Sequence, residues 1–259
     1  MVEPADVERV RPAMNEVTLL GAGVLFGAMF FGGISGFGYS LVSVPLLLML
    51  SVSAPVAVAT NLIAGVFTRL RILWIFRDCL DGRRILRLTA GSLPGIALGA
   101  AAGLVIGATG MKLMAGTTVL TAAVLLMWSS RRVPSGAIAE VVVGFLGGFL
   151  SPTTSLGGTP PALLLSRNLA DVGGYLADLS GYLAISSGLA FGLLLATHQV
   201  SQPNSQVAWW VLASLVGNEL GIRAVSQLQS MLINRLVLAV SLVGGGAVTV
   251  MALIALERA

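Results

Sequence analysis

Two stretches rich in glycine and hydroxyl residues interrupt long apolar segments, and their composition suits the binding of a small anion. They cover residues 32–40 and 147–161. Irregular backbone at membrane depth offers unpaired N–H groups and a positive helix dipole, while glycine admits a ligand closely and hydroxyls add donors. We therefore predict two facing half-sites that form one central anion site, completed by the amide of Asn61, which alternatively makes a helix–helix hydrogen bond. The residues predicted to line this site are Ser35, Gly36, Gly38, Asn61, Ser151, Thr153, Thr154, Gly157 and Gly158.

The same residue types also have a purely structural use, because Gly, Ser and Thr let membrane helices pack closely. We expect that use for two Gly-x-x-x-Gly pairs, Gly95 with Gly99 and Gly217 with Gly221. The two long interruptions differ from these pairs, since breaks at corresponding places in two halves point to a binding site.

Four ionisable residues fall within apolar segments, where a charge is costly and is therefore a candidate for function. Asp178 and Glu219 are predicted to carry a proton during transport, or alternatively to form interhelical hydrogen bonds. Lys112 and Arg235 each open the last helix of their half. Their long side chains reach the membrane interface, or alternatively attract anions toward the site.

The composition excludes a soluble globular domain, because 56% of the 259 residues are hydrophobic and only 10% are charged. The sequence predicts an all-α integral membrane protein with about eight transmembrane units. The first and fifth units are too long for one helix of 20 residues, so each is predicted to be broken or re-entrant. The apolar segments are residues 17–50, 52–76, 86–107, 111–128, 138–165, 174–197, 207–222 and 231–256.

No other chemistry is indicated by the sequence. Cys79 is the single cysteine and His198 the single histidine, so we predict no metal site, no cofactor and no enzymatic activity. The 15 Lys and Arg exceed the 11 Asp and Glu, but in a membrane protein this excess reports loop orientation rather than binding to nucleic acid.

The chain contains an internal repeat. A shift of 116 positions superimposes Gly32, Ser35 and Pro45 on identical residues, and a shift of 122 aligns residues 92–99 with 214–221. We predict two homologous halves of four units each, which are parallel if the broken unit crosses once and inverted if it crosses twice. The predicted divisions are a cytoplasmic tail 1–16, a first repeat 17–130, a cytoplasmic linker 131–137 and a second repeat 138–256.

The distribution of Lys and Arg predicts the orientation in the membrane, because positive loops are held in the cytoplasm. With each unit taken as one crossing, most of these charges collect on one side, including Arg9, Arg11 and the Arg-rich segment 69–87. We therefore expect both termini in the cytoplasm, beside the Arg-rich loop, in a multi-pass protein of the plasma (inner) membrane.

Over roughly residues 17–256 the chain resembles the sulfite exporter TauE/SafE family of membrane permeases. The matching pieces are residues 32–38 with Pro45, residues 57–61 and residues 147–161. The resemblance implies transport of small sulfur-containing anions such as sulfite, thiosulfate, sulfoacetate or related organosulfonates, commonly outward. Ser-Pro-Thr-Thr-Ser at 151–155 replaces most of the glycines usual in the family, so the specific substrate is the property that transfers least.

These observations predict a secondary transporter, an exporter of a small sulfur-containing anion that works by alternating access around a central anion site. The alternative is transport or uptake of another small anion, such as a carboxylate. Its partners would be the anion and the membrane lipids, and assembly into a homo-oligomer is left open.

Overall fold

The computed structural model describes residues 4–35, 38–128, 136–168, 171–200, 204–224 and 242–254, and this part of the chain contains helices and turns but no strand. A 3₁₀ turn at Arg77–Cys79 precedes the fourth helix. The helices are α1 (Pro4–Ser35), α2 (Tyr39–Met49), α3 (Ala54–Ile75), α4 (Gly82–Trp128), α5 (Ala137–Thr154), α6 (Thr159–Asn168), α7 (Val172–Ala196), α8 (Ser205–Ala224) and α9 (Leu242–Ile254).

Five of the described helical segments are long and apolar enough to cross a membrane: Glu16–Ile34, Ala54–Ile75, Gly82–Gly107, Ala137–Thr154 and Val172–Ala196. Shorter apolar helices accompany them, among them α2 and α9. The prediction of an all-helical, multi-pass membrane protein is confirmed.

The helix α4 is not one straight rod. Gly107 has φ 70° and ψ 172° in its interior, a conformation open to glycine that divides the helix into two arms. The first arm begins at Gly82 and the second ends at Trp128, so two apolar segments of the sequence form one kinked element.

Helices are interrupted at both predicted breaks, and the chain reverses direction at each. In the first break, Gly38 has φ 92°, and a Cβ on Gly32 would lie 2.8 Å from the Cβ of Tyr39. Seven residues of continuous helix would separate these positions by about 10 Å. In the second break, a Cβ on Gly157 would lie 2.6 Å from the carbonyl oxygen of Gly147, ten residues earlier. Both breaks are therefore tight helical hairpins.

Glycines allow two helix pairs to approach to backbone contact. A Cβ on Gly95 would overlap the carbonyl oxygen of Phe145, and one on Gly99 would overlap that of Phe149, so the first arm of α4 lies directly against α5. A step of four residues along α4 corresponds to a step of four residues in the same direction along α5, so the two helices run parallel. The packing use predicted for Gly95 and Gly99 is confirmed.

The second glycine pair makes the same kind of contact elsewhere in the bundle. A Cβ on Gly217 would overlap the carbonyl oxygen of Phe26, and one on Gly221 would overlap that of Phe30. The helix α8 therefore runs parallel to α1, and the packing use predicted for Gly217 and Gly221 is confirmed.

The helices α3 and α7 pack side by side in opposite directions. A Cβ on Gly181 would lie 3.7 Å from Leu73, and one on Gly188 would lie 3.9 Å from Val66. Residues later in α7 contact residues earlier in α3, so the two helices are antiparallel.

Two contacts of α8 relate the beginning of α1 to the Arg-rich loop. Trp210, near the beginning of α8, donates a 2.8 Å hydrogen bond to the carbonyl of Thr18 in α1. Glu219, near the end of α8, accepts a 3.3 Å hydrogen bond from Arg71 at the end of α3. The beginning of α1 and the Arg-rich loop after α3 thus lie at opposite ends of the bundle. The predicted orientation took the first broken unit as one crossing, and the reversal of the chain at this break matches the other possibility that the sequence left open.

Candidate functional site

A small cavity lies where the two helix breaks meet. Its volume is ≈ 20 Å³, about the space needed by one water molecule. Residues after the first break and on both sides of the second line it, together with side chains from α3 and α7. The lining residues are Gly38, Tyr39, Ser40, Leu41, Arg69, Ser151, Ser155, Leu156, Gly157, Gly158, Thr159, Leu183 and Ser187.

Arg69 places a positive charge at this cavity. It belongs to α3 and is only 3% exposed, although it lies within an apolar membrane-crossing helix. Its guanidinium carbon is 5.6 Å from the centroid of the Tyr39 ring, which is the geometry of a cation–π contact. A guanidinium presents several N–H donors in one plane and suits the oxygens of an oxyanion.

Tyr39 is held in place by α3. Its hydroxyl donates a 3.2 Å hydrogen bond to the backbone carbonyl of Asn61. Gly65 leaves room for it, because a Cβ there would overlap the Tyr39 hydroxyl. Tyr39, the first residue of α2, is thereby held against the Arg69 guanidinium. The first break and this cation are therefore in direct contact.

Asn61 does not line the cavity but fastens α2 to α3. Its side-chain oxygen accepts a 2.7 Å hydrogen bond from Ser43, and its side-chain nitrogen donates to the carbonyl of Ala57 at 3.0 Å. This is the helix–helix hydrogen bond that was the alternative interpretation of Asn61. Asn61 is linked to the cavity through its backbone carbonyl, which accepts the hydrogen bond from the Tyr39 hydroxyl.

Hydroxyl groups face the cavity from the second break and from α7. Ser155 follows the last residue of α5 in a left-handed conformation with φ 59°. Its side-chain oxygen is buried and has no hydrogen-bond partner among the described residues. Ser151 lies one turn earlier, and Ser187 reaches the cavity from α7. A buried hydroxyl without a protein partner is a group that a ligand can satisfy.

The predicted residues of the second break divide into two sets. Ser151, Gly157 and Gly158 line the cavity, as Gly38 does at the first break. Thr153 and Thr154 are buried but lie outside the lining, because their hydroxyls donate to the carbonyls four residues earlier in α5, at 2.9 Å each. The side chain of Ser35, and Gly36 and Arg235, lie outside the described residues.

Backbone donors are fewer at the second break than the sequence suggested. The amide of Thr159 donates to the carbonyl of Leu156, and that of Ala162 donates to Gly158. Pro160 and Pro161 have no N–H group. Residues 159–162 at the beginning of α6 therefore offer the cavity no free backbone amide.

The two membrane carboxylates are held by arginines away from the cavity. Asp178, fully buried in α7, contacts Arg84 and accepts a 2.7 Å hydrogen bond from the amide of Asp81. Glu219 in α8 accepts from Arg223 at 3.0 Å as well as from Arg71. Neither carboxylate lines the cavity.

Lys112 also lies outside the lining. It is partly exposed on the second arm of α4, directly after the buried Met111. Met111 packs with Ala54, at the beginning of α3, far along that helix from Arg69.

The sequence interpretation missed Arg69, the residue with the most direct chemistry for an anion. It was grouped with the Arg-rich loop, although it falls inside the apolar segment 52–76. The rule applied to Asp178 and Glu219, that a charge within a membrane segment is a functional candidate, identifies Arg69 as well. Ser187 carried no comparable signal, because serine is common in membrane helices, and Ser155 was covered only as part of the predicted stretch 147–161.

Metal chemistry has no support in the part of the chain that the structure describes. No group of three or more His, Cys, Asp or Glu side chains there is placed to hold a metal ion. Cys79 is exposed in the loop between α3 and α4.

A multi-pass helical bundle with a buried, cationic, hydroxyl-lined cavity between two helix breaks has the features of a membrane transporter. Comparison with protein families gives a match to the family described as Sulfite exporter TauE/SafE over residues 19–256, nearly the whole chain. The chain belongs to this family. Comparisons with curated proteins and with solved structures find no match.

Proposed function

We propose that the protein is a secondary transporter, working as an exporter, of a small sulfur-containing anion such as sulfite, thiosulfate or an organosulfonate. One observation carries the proposal: Arg69 is buried in a cavity that both helix breaks line. The planar N–H groups of a guanidinium suit an oxyanion, and the buried Ser155 hydroxyl, which has no hydrogen-bond partner among the described residues, can donate to the same ligand.

We further propose that the two halves form an inverted repeat, with helices α1–α4 matching α5–α9. Support comes from α3 and α7, which would correspond and run antiparallel. In addition, α1 of the first half packs parallel to α8 of the second half, and α5 of the second half packs parallel to the first arm of α4. These two pairs are equivalent if α1 corresponds to α5 and the first arm of α4 corresponds to α8. Arg69 and Ser187 are 118 positions apart, between the two shifts that align the halves, and both line the cavity.

An inverted repeat gives a simple mechanism. A site on the pseudo-two-fold axis stays near the bilayer midplane while one half rocks against the other and exposes it to each side in turn. The glycine contacts between α4 and α5, and between α1 and α8, are the surfaces on which such movement takes place. An inside-negative potential drives a bound anion outward by about 2.3 kcal/mol per charge for each 100 mV.

We propose that the Arg-rich end of the bundle lies in the cytoplasm, because positively charged loops are held on that side of the membrane. This end carries Arg71, Arg77 and Arg84. The beginning of α1, at the other end of α8, would then face the periplasm. This revises the expected cytoplasmic position of the amino terminus.

Proton coupling through Asp178 or Glu219 stays a prediction. A carboxylate that carries a proton must leave its arginine partners during the cycle, and ion pairs with Arg84 and Arg71 oppose this. Anion flux in vesicles with and without a pH gradient, compared between wild type and Asp178→Asn, decides the matter: coupling requires a gradient dependence that this variant loses.

The alternative, transport of a carboxylate, shares the same cavity. Carboxylates present two oxygens, whereas sulfonates and sulfite present three. The hydroxyl-bearing residues Ser151, Ser155 and Ser187 line the cavity together with Arg69, which favours the ligand with more oxygens. Competition between acetate and methanesulfonate for the purified protein separates the two.

The proposal is tested by the melting temperature of the purified protein with sulfite, thiosulfate, methanesulfonate, taurine, acetate and chloride. A ligand at 100 times its dissociation constant stabilises by about 2.7 kcal/mol. We expect sulfur anions to stabilise the wild type and Arg71→Gln but not Arg69→Gln. Arg71 is a matched control, because it lies two residues further along α3 with a half-exposed side chain. Equal stabilisation of both variants contradicts the proposal.

A further inference from the structure

Arginines near the beginning of α4 form ion pairs with two other helices. Arg84 contacts Asp178 in α7 and pairs with Glu140 in α5 at 3.4 Å. Arg87, about one turn later, donates a 3.1 Å hydrogen bond to the same Glu140 carboxylate. The beginning of α4 is therefore tied to both α5 and α7 by charged groups.

A second set of ion pairs joins α3 to α8 at the same end of the bundle. Arg71, near the end of α3, pairs with Glu219 of α8 at 3.3 Å, and Arg223 pairs with the same carboxylate at 3.0 Å. The Arg71 and Glu219 side chains are 50% and 31% exposed, whereas Asp178 is fully buried. Salt therefore screens the pair between α3 and α8 more strongly than the contact that Asp178 makes.

These ion pairs cross between the two halves of the chain, and the repeat does not duplicate them. The arginines that bridge different helices belong to the first half, and their carboxylate partners in those helices belong to the second. The positions that match Arg71, Arg84, Asp178 and Glu219 at shifts of 118 and 122 are Leu189, Gln206, Thr60 and Ala97. In an inverted repeat the matching positions lie toward the opposite end of the bundle, so the matching contacts there are not ion pairs.

The same helix pairs meet through apolar side chains toward the opposite end. Ile96 and Ala100 of α4 belong to one buried cluster with Leu194, near the end of α7. Ala57, near the beginning of α3, belongs to another with Trp210, near the beginning of α8. Apolar contacts are insensitive to the loss of a charge, whereas ion pairs depend on it. Removal of a charge therefore acts on the Arg-rich end alone.

The ion pairs lie between the cavity and the Arg-rich end. Arg71 follows the cavity residue Arg69 by two positions, toward the end of α3. Asp178 precedes the cavity residue Leu183 by five positions, or about 7.5 Å of helix, toward the beginning of α7. The cavity itself holds about one water molecule, so it is closed in this structure. An anion that enters from the Arg-rich end must pass between helices that these ion pairs hold together.

The ion-pair network consists of Arg71, Arg84, Arg87, Glu140, Asp178 and Glu219. We propose that this network keeps the Arg-rich end of the transporter closed, and that the cavity opens to that side only when the network separates. The inference rests on the proposed function, because a transporter must open its site to each side in turn. It gives a conformational role to arginines and carboxylates that lie outside the anion site.

The first test measures how fast a cysteine in the cavity reacts with a membrane-impermeant methanethiosulfonate added to sealed vesicles. Ser187→Cys places a thiol in the cavity, and Cys79→Ser removes the single native cysteine. Cys79 also identifies the side, because it is exposed in the loop at the Arg-rich end. The vesicle preparation in which the wild-type protein reacts presents this end to the reagent.

Removal of a carboxylate from the network should open the Arg-rich end. We expect Asp178→Asn and Glu219→Gln each to raise the labelling rate of the cavity cysteine from this side by at least about tenfold, which corresponds to about 1.4 kcal/mol in the opening equilibrium. Glu219→Gln keeps the test valid if Asp178→Asn does not fold, because Glu219 is partly exposed. Asp78→Asn is the matched control, since Asp78 pairs with its neighbour Arg77 within the loop. Unchanged rates in both network variants, or an equal rise with Asp78→Asn, overturn the proposal.

A cross-link tests the same end in the opposite sense. Arg71→Cys combined with Glu219→Cys, in the Cys79→Ser background, places one thiol on α3 and one on α8. We expect a short bis-maleimide to stop sulfite flux from proteoliposomes, because it holds the Arg-rich end closed. N-ethylmaleimide, which modifies the thiols singly, is the control and should leave flux measurable.

The outcomes separate this inference from the proposed function. If the wild-type protein transports sulfite but the cross-linked protein transports it equally fast, the role of the ion-pair network is wrong and the proposed function stands. If the wild-type protein neither binds nor transports any sulfur anion, the proposed function fails, and with it the transport role of the network.

Discussion

The space beside Gly65 allows a sharp test of how packing supports the anion site. Gly65 lies in α3 one turn before Arg69, and a Cβ at this position would overlap the hydroxyl of Tyr39. Gly65→Ala therefore forces the Tyr39 ring away from α3. The displacement breaks the 3.2 Å hydrogen bond from Tyr39 to the Asn61 carbonyl and disturbs the cation–π contact at 5.6 Å.

The size of the effect follows from these two contacts. A net hydrogen bond contributes about 0.5–1.5 kcal/mol, and a desolvated cation–π contact about 2 kcal/mol. If half of this total is transmitted to the orientation of Arg69, anion affinity falls by about 10-fold, since 1.4 kcal/mol corresponds to a factor of ten. The added methyl group also destabilises the folded protein by about 1–3 kcal/mol.

The assay is a calorimetric titration of methanesulfonate into purified wild type, Gly65→Ala and Gly188→Ala. Gly188 is the matched control, because it lies in the facing helix α7 and a Cβ there would be at an ordinary 3.9 Å from Val66. We expect weaker binding for Gly65→Ala alone. Unchanged affinity in a Gly65→Ala protein that melts at a lower temperature would refute the role of Tyr39 in orienting Arg69.

Three further predictions concern stability and topology. Gly95→Ala should lower the melting temperature strongly, because the added Cβ overlaps the Phe145 carbonyl oxygen. Gly27→Ala should leave the melting temperature unchanged, since no atom lies within 4 Å of a Cβ at that position. Equal melting temperatures of the two variants contradict the contact between α4 and α5. Asp178→Asn should destabilise the protein by about 1.5–3 kcal/mol, because it removes the buried carboxylate from Arg84, which keeps Glu140 and Asp81 as partners; a loss below about 0.5 kcal/mol in denaturant unfolding contradicts this. A membrane-impermeant maleimide should label Cys79 in inside-out vesicles but not in intact spheroplasts, and the reverse result places the Arg-rich loop outside.

The helical breaks could be predicted from the sequence because their signal is local. Glycines, serines and prolines within an apolar run disrupt a helix wherever they occur, so both interruptions were located correctly. The glycine pairs behaved likewise, since Gly-x-x-x-Gly at helical spacing presents one flat face. Gly95 and Gly217 each meet a carbonyl of a neighbouring helix.

The sequence left open whether the chain reverses at each break and did not indicate the role of Arg69, because both depend on tertiary contacts. A break that kinks a helix and a break that turns it back have the same composition, and only the proximity of Gly32 to Tyr39 distinguishes them. The positive-inside rule counts arginines near helix ends, and Arg69 lies six residues from the end of α3. The rule therefore assigned a buried charge to a loop.

The hydroxyl-bearing residues show the same limit. Thr153, Thr154 and Ser155 are consecutive and equally suited to an anion, yet two of them bond back to α5 and one points into the cavity. The difference arises because α5 ends at Thr154, so that Ser155 is the first residue outside the helix. Sequence patterns locate helix ends only to within a few residues.

The central claim is that an oxyanion binds at Arg69 between the two helix breaks, and the most direct measurement is the position of a bound selenium analogue. Crystals soaked with methaneselenonate would give anomalous signal from selenium. Charge-assisted hydrogen bonds of about 2.7–2.9 Å predict a selenium peak within about 4 Å of the Arg69 guanidinium nitrogens, between Gly38 and Ser155. A well-occupied peak elsewhere in the bundle, with the cavity empty, would contradict the account.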